Sequence, residues 1–182
     1  MTSLEAALLE LAGALEDCRL PYALIGGLAV SLSGEPRATL DVDVSVWAAP
    51  DQLGAAIDCL CARFRALRAN PHQFVEKHRV LPIATAAGVR ADVVFAAISA
   101  EREMIQRAVL KQVGDRMIPV ASVEDLLFMK LLSTREKDTS DAAALFRRFG
   151  SSLDRGYLVP KLKEAADALD RPDILAWFGE VE

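Results

Sequence analysis

Asp41 and Asp43 stand two residues apart in the run Leu40-Asp41-Val42-Asp43-Val44-Ser45-Val46. Side chains alternate between the two faces of a strand, so both carboxylates point to one side, roughly 7 Å apart along the chain. A third acid, Asp92, sits beside Val93, Val94, Phe95 and Ala96, where an unpaired charge is costly. If the two segments are neighbouring strands, three carboxylates converge. Two such charges ~4 Å apart repel by about 4 kcal/mol at an effective dielectric near 20. That arrangement requires protonation, a Lys or Arg partner, or a divalent cation, and all-oxygen ligands suit Mg²⁺ or Mn²⁺ rather than zinc. A simpler account also fits: Asp41 and Asp43 face water on a half-exposed strand, and Asp92 sits at a bend.

Gly26-Gly27 follows the apolar run Tyr22-Ala23-Leu24-Ile25. Two glycines let the backbone approach a phosphate, and a helix starting there would offer amide donors. A plain turn explains the pair as well. The spacing matches neither Gly-x-x-x-x-Gly-Lys-Ser/Thr nor Gly-x-Gly-x-x-Gly. Three further residues are candidates for nucleotide binding. The Arg37 guanidinium could grip phosphate oxygens in bidentate fashion, or be a loop arginine in water. Lys130, among Leu126, Leu127, Phe128, Met129 and Leu131, could run its stem along the core and bring its amine to a cleft, or be an ordinary surface lysine paired with a nearby acid. Asp138 is the weaker candidate, and Asp141 reads as a helix-start acid placed at the dipole. His78 and Arg79 are expected on a strand bordering the site. Arg63, Arg65 and Arg68 fit a solvated helix end or a nucleic-acid-facing stripe, and Cys59 and Cys61 read as core thiols.

The elements that must position these groups follow from periodicity. An amphipathic helix is expected over residues 4–20, a strand over 22–25, a brief helix over 28–32 and a strand over 40–47. A second helix is expected over 50–66, strands over 74–86 and 89–97, a helix over 99–110, and a strand over 116–120. Ser122-Val123-Glu124-Asp125 has capping-box spacing and opens a helix to 132. Helices alone follow, over 139–149, 157–169 and after Pro172. Strands early and helices late predict an α+β fold, a small mixed β-sheet flanked by helices with a helical C-terminal portion. The expected organisation is an α/β core over residues 1–120, with residues 121–182 packed on it as one unit.

Composition narrows the function classes. Over 182 residues, 52% hydrophobic and 26% charged excludes a disordered or collagen-like chain. No apolar run approaches the ~18 residues of a membrane span, and no export signal opens the chain, so a cytoplasmic protein without membrane partners is expected. Three cysteines without Cys-x-x-Cys spacing and two histidines exclude a disulfide scaffold and argue against a zinc cluster. The net charge of −5 is uneven: residues 51–120 carry ten basic and seven acidic groups, residues 1–50 two and seven. The whole chain is therefore no polyanion binder, although its middle third allows a local basic surface.

Taken together, strand-Gly26-Gly27, the Asp41-Val42-Asp43 strand and the later strand acid Asp92 resemble the DNA-polymerase-β-like nucleotidyltransferase superfamily. Within it, Gly26-Gly27-Leu28-Ala29, Arg37-Ala38-Thr39-Leu40-Asp41-Val42-Asp43, Glu124-Asp125-Leu126 through Lys130, Lys137-Asp138 and Asp141 resemble the AbiEii-type toxin branch. The likeness covers roughly residues 20–145, and Gly27 stands where many members have serine. It implies that Gly26 and Gly27 hold NTP phosphates, that Asp41, Asp43 and Asp92 bind Mg²⁺ with Asp92 also serving as base, and that Lys130 touches the triphosphate. It further implies transfer of an NMP to an acceptor hydroxyl on tRNA, a protein or a small molecule such as an antibiotic, and a cognate antitoxin as partner. A catalytically idle NTP- or partner-binding module, or a structural domain with solvated acids, are the competing readings.

Overall fold

The computed structural model describes residues 1–34 and 38–180. Helix α1 (Ser3–Asp17) starts from a capping box in which Thr2 Oγ1 accepts from the Glu5 amide and Glu5 accepts from the Thr2 amide. Leu8, Leu11 and Leu15 form its buried stripe. The chain then runs through β1 (Tyr22–Ile25), α2 (Gly26–Leu32), β2 (Asp41–Val46), α3 (Leu53–Cys61), β3 (Arg65–Ala66), α4 (Pro71–His78), β4 (Val80–Ala84) and β5 (Arg90–Phe95). After α5 (Ser99–Gln106) come β6 (Val109–Val113) and β7 (Arg116–Val120), then four helices: α6 (Val123–Leu132), α7 (Glu136–Phe149), α8 (Arg155–Leu169) and α9 (Asp173–Glu180).

The described strands form one mixed sheet in the order β3-β4-β5-β2-β1-β7-β6. β2 pairs antiparallel with β1 and parallel with β5, while β1 and β7 are parallel. Strand alternation divides the central sheet. Val42, Val44, Val46, Ala91, Val93 and Phe95 are buried and share one core with α1 and with Ile57 and Leu60 of α3. Asp41, Asp43 and Asp92 occupy the alternate positions. Pro82 of β4 has no donor, and its carbonyl accepts from Leu67 next to the two-residue β3; the missing N–H therefore weakens a short edge pairing rather than a central one.

Helix α6 is apolar nearly all round, as expected of a helix covered on several sides. Leu126 joins the sheet core, whereas Leu127, Phe128 and Leu131 join a second core with Phe146, Leu158, Leu162, Ile174 and Phe178 of the later helices. Among the described residues, no helix is long and apolar enough to cross a membrane.

Several expectations need correction. The 74–86 strand is helix α4 followed by β4: Pro71 at the first turn starts the helix, and Val75 is its one buried residue, too little apolar repeat to show a 3.6 period. Helix 50–66 breaks into a 3₁₀ turn, α3 and β3. The 99–110 helix stops at Gln106 because Val109 and Leu110 open the edge strand β6, where only Val113 is buried. Cys59 is not a free thiol: α1 and α3 bring Cys18 and Cys59 to a Cα–Cα distance of 6.1 Å, and they form a disulfide. Cys61 alone is free.

Candidate active site

β2 and β5 lie in register, with Asp43 opposite Asp92 and Asp41 opposite Arg90. Adjacent strands stand about 4.8 Å apart, so sequence-distant acids meet on one face of the sheet. Asp41, Asp43 and Asp92 line a single cavity of about 320 Å³ together with Gly26 and Gly27, within the size range of small-molecule sites. Lys130, Lys137, Asp138, Arg135 and Thr39 complete much of its wall. Arg37 lies outside the described residues. Gly26, Gly27, Asp41, Asp43, Asp92, Lys130 and Asp138 all border this one pocket.

Gly26 is fixed by sterics. Its φ is +70°, and a Cβ built there would overlap the Asp43 carboxylate. Any side chain at 26 would therefore strain the backbone and evict the acid behind it. Gly26→Ala is expected to lower stability by about 1–3 kcal/mol and to abolish nucleotide binding; a melting curve and a nucleotide titration check both. An alanine variant binding nucleotide normally would show that the close approach has no function.

The three carboxylates differ in their partners. Thr39 Oγ1 donates to Asp41 Oδ1 at 2.9 Å. Arg90 Nε and Nη2 donate to the two Asp92 oxygens at 3.0 and 2.8 Å. For Asp43 no side-chain donor is present among the described residues. Burial, reinforced by Asp41 and then Asp92, pushes its carboxyl up to about 6 against the opposing pull of Lys130 and Lys137. Among the described residues, no group of three or more His, Cys, Asp or Glu side chains is gathered closely enough to hold a metal ion. The donor chemistry nonetheless fits a hard divalent cation: the carboxylates share one cavity, and their mutual repulsion raises Asp43.

Lys130 reaches the cavity wall already engaged. Its side chain is 8% exposed and its ammonium lies 2.5 Å from Asp138 and 2.8 Å from Asp141. Asp138, fully buried, also accepts from Ser133 Oγ at 2.7 Å and Arg135 Nε at 2.5 Å. Burial alone would raise the Asp138 carboxyl, but these donors outweigh it and hold it down to about 2. Asp141 is therefore not a helix-start acid; α7 begins five residues earlier, and Asp141 is a buried partner of Lys130. His78 and Arg79 are not on a strand: His78 ends α4, and Arg79 adopts φ 59° and donates to the Phe95 and Ala96 carbonyls. Val80, the next residue, does line the cavity.

Thr39, Arg135 and Lys137, which line the pocket, and Arg90, which bonds Asp92, were not singled out from the sequence. Arg90 carried a readable signal, since it stands two residues before Asp92 and so shares its face of the strand.

The sheet order and the helices packed on it match nucleotidyltransferase-like folds. The chain superposes on an antigenic nucleotidyltransferase-like protein from Paracoccidioides brasiliensis at a TM-score of 0.55 and 18% identity, over 96% of this chain and 91% of the other. It superposes on the antibiotic-resistance factor ANT(2'')-Ia at 0.55 and 12% identity, over 98% and 97%. The lincosamide antibiotic adenylyltransferase LnuA aligns at 0.51 and 18% identity, over 78% and 95%. No family model matches the sequence, and no curated protein matches it.

Proposed function

We propose that this chain is a metal-dependent nucleotidyltransferase that moves an NMP from an NTP to an acceptor hydroxyl and releases pyrophosphate. The observation that carries the reading is the register of β2 against β5, which sets Asp41, Asp43 and Asp92 on one face of one pocket, beside a glycine whose Cβ would overlap the Asp43 carboxylate.

Asp41 and Asp43 would hold Mg²⁺ or Mn²⁺, and Asp92 would complete the ligand set. Such ions, when bound, neutralise triphosphate charge and make the acceptor hydroxyl more acidic. The remaining work falls to the chain itself. Gly26 and Gly27 present backbone rather than side chain to the phosphates. Lys137 and Arg135 line the same cavity and supply positive charge to the polyphosphate, with Lys130 and Asp138 fixing the α6–α7 junction that carries both. Asp92 accepts the acceptor's proton as the new oxygen–Pα bond forms and the Pα–oxygen bond to pyrophosphate breaks.

Following the branch the sequence resembles, we assign the acceptor hydroxyl to tRNA or a protein, and the biological role to a toxin with an antitoxin partner. A small-molecule acceptor is the second reading, favoured by the likeness in fold to ANT(2'')-Ia and LnuA, a fold-level analogy. Each α-labelled NTP should be incubated with Mg²⁺ and the protein, in separate reactions with total tRNA, lysate protein or an aminoglycoside and a lincosamide. Label is expected on one acceptor class and absent with Asp41→Ala/Asp43→Ala, whose melting temperature should be equal or higher because like-charge repulsion is relieved. No label on any acceptor, with no stabilisation by Mg²⁺ and a non-hydrolysable NTP, would overturn the proposal.

A further inference from the structure

Arg90 and Asp92 stand two apart on β5 and therefore share a face, with Arg90 opposite Asp41 and Asp92 opposite Asp43 across the β2 pairing. The guanidinium fork meets the carboxylate edge on, one nitrogen to each oxygen at 3.0 and 2.8 Å. Arg90 is 53% exposed along its side chain and Asp92 only 18%. Among the described residues, no other cation forms an ion pair with Asp41, Asp43 or Asp92; Lys130 is engaged by Asp138 and Asp141. Of Asp41, Asp43 and Asp92, only Asp92 is paired with a cation among the described residues. Among the described residues, no group of three or more His, Cys, Asp or Glu side chains is placed to hold a metal ion.

Resting on the functional reading above, we propose that Arg90 is a built-in counter-cation that holds both oxygens of Asp92, which a metal would need, and is drawn off by the nucleotide polyphosphate. Metal binding is then conditional on nucleotide. A guanidinium bound across both oxygens would compete with a divalent ion for the same carboxylate. Arg90 leaves only for an equivalent partner, and a phosphate offers its fork the same paired-oxygen edge that a carboxylate does. A neutral acceptor offers no such edge. Exposure makes the exchange feasible, since a half-solvated side chain turns by rotamer change without moving the sheet. The same displacement frees Asp92 to receive a proton, so the base becomes competent only when the triphosphate is seated.

The test is Mn²⁺ binding to the full chain, read by electron paramagnetic resonance, for wild type, R90Q, R90K and R90Q/D92N. In the absence of nucleotide, R90Q should bind Mn²⁺ about tenfold more tightly than wild type, and the added D92N should erase that gain. After correction for Mn²⁺ held by the analogue in solution, a non-hydrolysable NTP should tighten Mn²⁺ binding in wild type at least about tenfold more than in R90Q. Circular dichroism verifies folding. If R90Q does not fold, R90K keeps the charge but loses the fork and should still gain about threefold. Unchanged or weaker Mn²⁺ binding by the Arg90 variants would overturn the inference and make Arg90 a simple support for Asp92; wild-type binding abolished by Asp41→Ala/Asp43→Ala would leave the functional reading standing. Absence of Mn²⁺ binding in every variant, with nucleotide or without, would overturn both.

Discussion

Asp43→Asn is expected to raise stability by about 3 kcal/mol above pH 7 while cutting nucleotidyl transfer by more than about a hundredfold. The two effects have one cause. Asp43 is confined by the backbone of Gly26 and by burial, with Asp41 and Asp92 for neighbours, and its carboxyl is pushed up to about 6 from an ordinary 3.8. The folded protein therefore holds this proton more tightly than the unfolded chain does. Its contribution is fully present below about pH 4 and is lost as pH rises through about 6. Asparagine keeps the shape and removes the titration, so the advantage of the variant should be absent at pH 3.5, grow between pH 4 and 6, and level off above 7. Urea unfolding at pH 4, 5, 6, 7 and 8 measures this directly. A stability difference that stays flat across the series would mean that Asp43 is not an ionised, repelled acid at neutral pH. On the proposed function, transfer falls because Asp43 would hold a divalent cation, for which an amide oxygen is a poorer ligand than a carboxylate.

This opposition of signs also explains what could be read without coordinates. Strand β2 was legible because the valines at 42, 44 and 46 alternate against Asp41 and Asp43, and β1 and β7 because their apolar runs are bounded by turn and cap signals. The capping-box spacing at Ser122 located α6, and Ser122 Oγ does accept from the Asp125 amide. Local pattern gave no access to the pairing of β2 with β5, because parallel register is set by tertiary packing. The convergence of Asp92 on Asp43 could only be inferred from the cost of burying an acid among valines.

Where sequence reasoning failed, the reason was mostly a weak local period. α4 buries only Val75, and β6 buries only Val113, so neither writes a helical or alternating pattern. The Cys18–Cys59 bond joins positions 41 residues apart on different helices, which no spacing motif encodes. Lys130 illustrates a different limit. Its apolar neighbours placed it correctly on a buried helix at the pocket wall, but whether a buried lysine is free or paired depends on which acids a later helix delivers. α7 delivers two.

Lys130→Met should be the most destabilising single change at the site, by about 3–5 kcal/mol, although it exchanges a charged residue for a good core former. In the native chain, the ammonium lies between Asp138 and Asp141, and Asp138 has no exposure to water. Removing the lysine leaves Asp138 with Ser133 and Arg135 and takes from Asp141 its buried ammonium partner, so the cost is that of less fully compensated buried charge rather than of a lost bond. Adding Asp138→Leu and Asp141→Leu to Lys130→Met should recover most of the loss, because an apolar replacement of the acids removes that buried charge as well. Acid should have the corresponding effect on the wild type. The Asp138 carboxyl is held down to about 2, so its contribution is present above about pH 4 and is lost as pH falls towards 2; Lys130→Met should show a weaker dependence in that window. Stability of the triple variant distinguishes the alternatives. If it folds as firmly as the wild type yet fails to bind nucleotide, the buried cluster serves chiefly to aim Arg135 and Lys137 at the polyphosphate. If instead it binds nucleotide normally, the α6–α7 junction is held by the apolar contacts of Leu127, Phe128 and Phe146 alone, and the buried ions have no part in positioning the cations of the site.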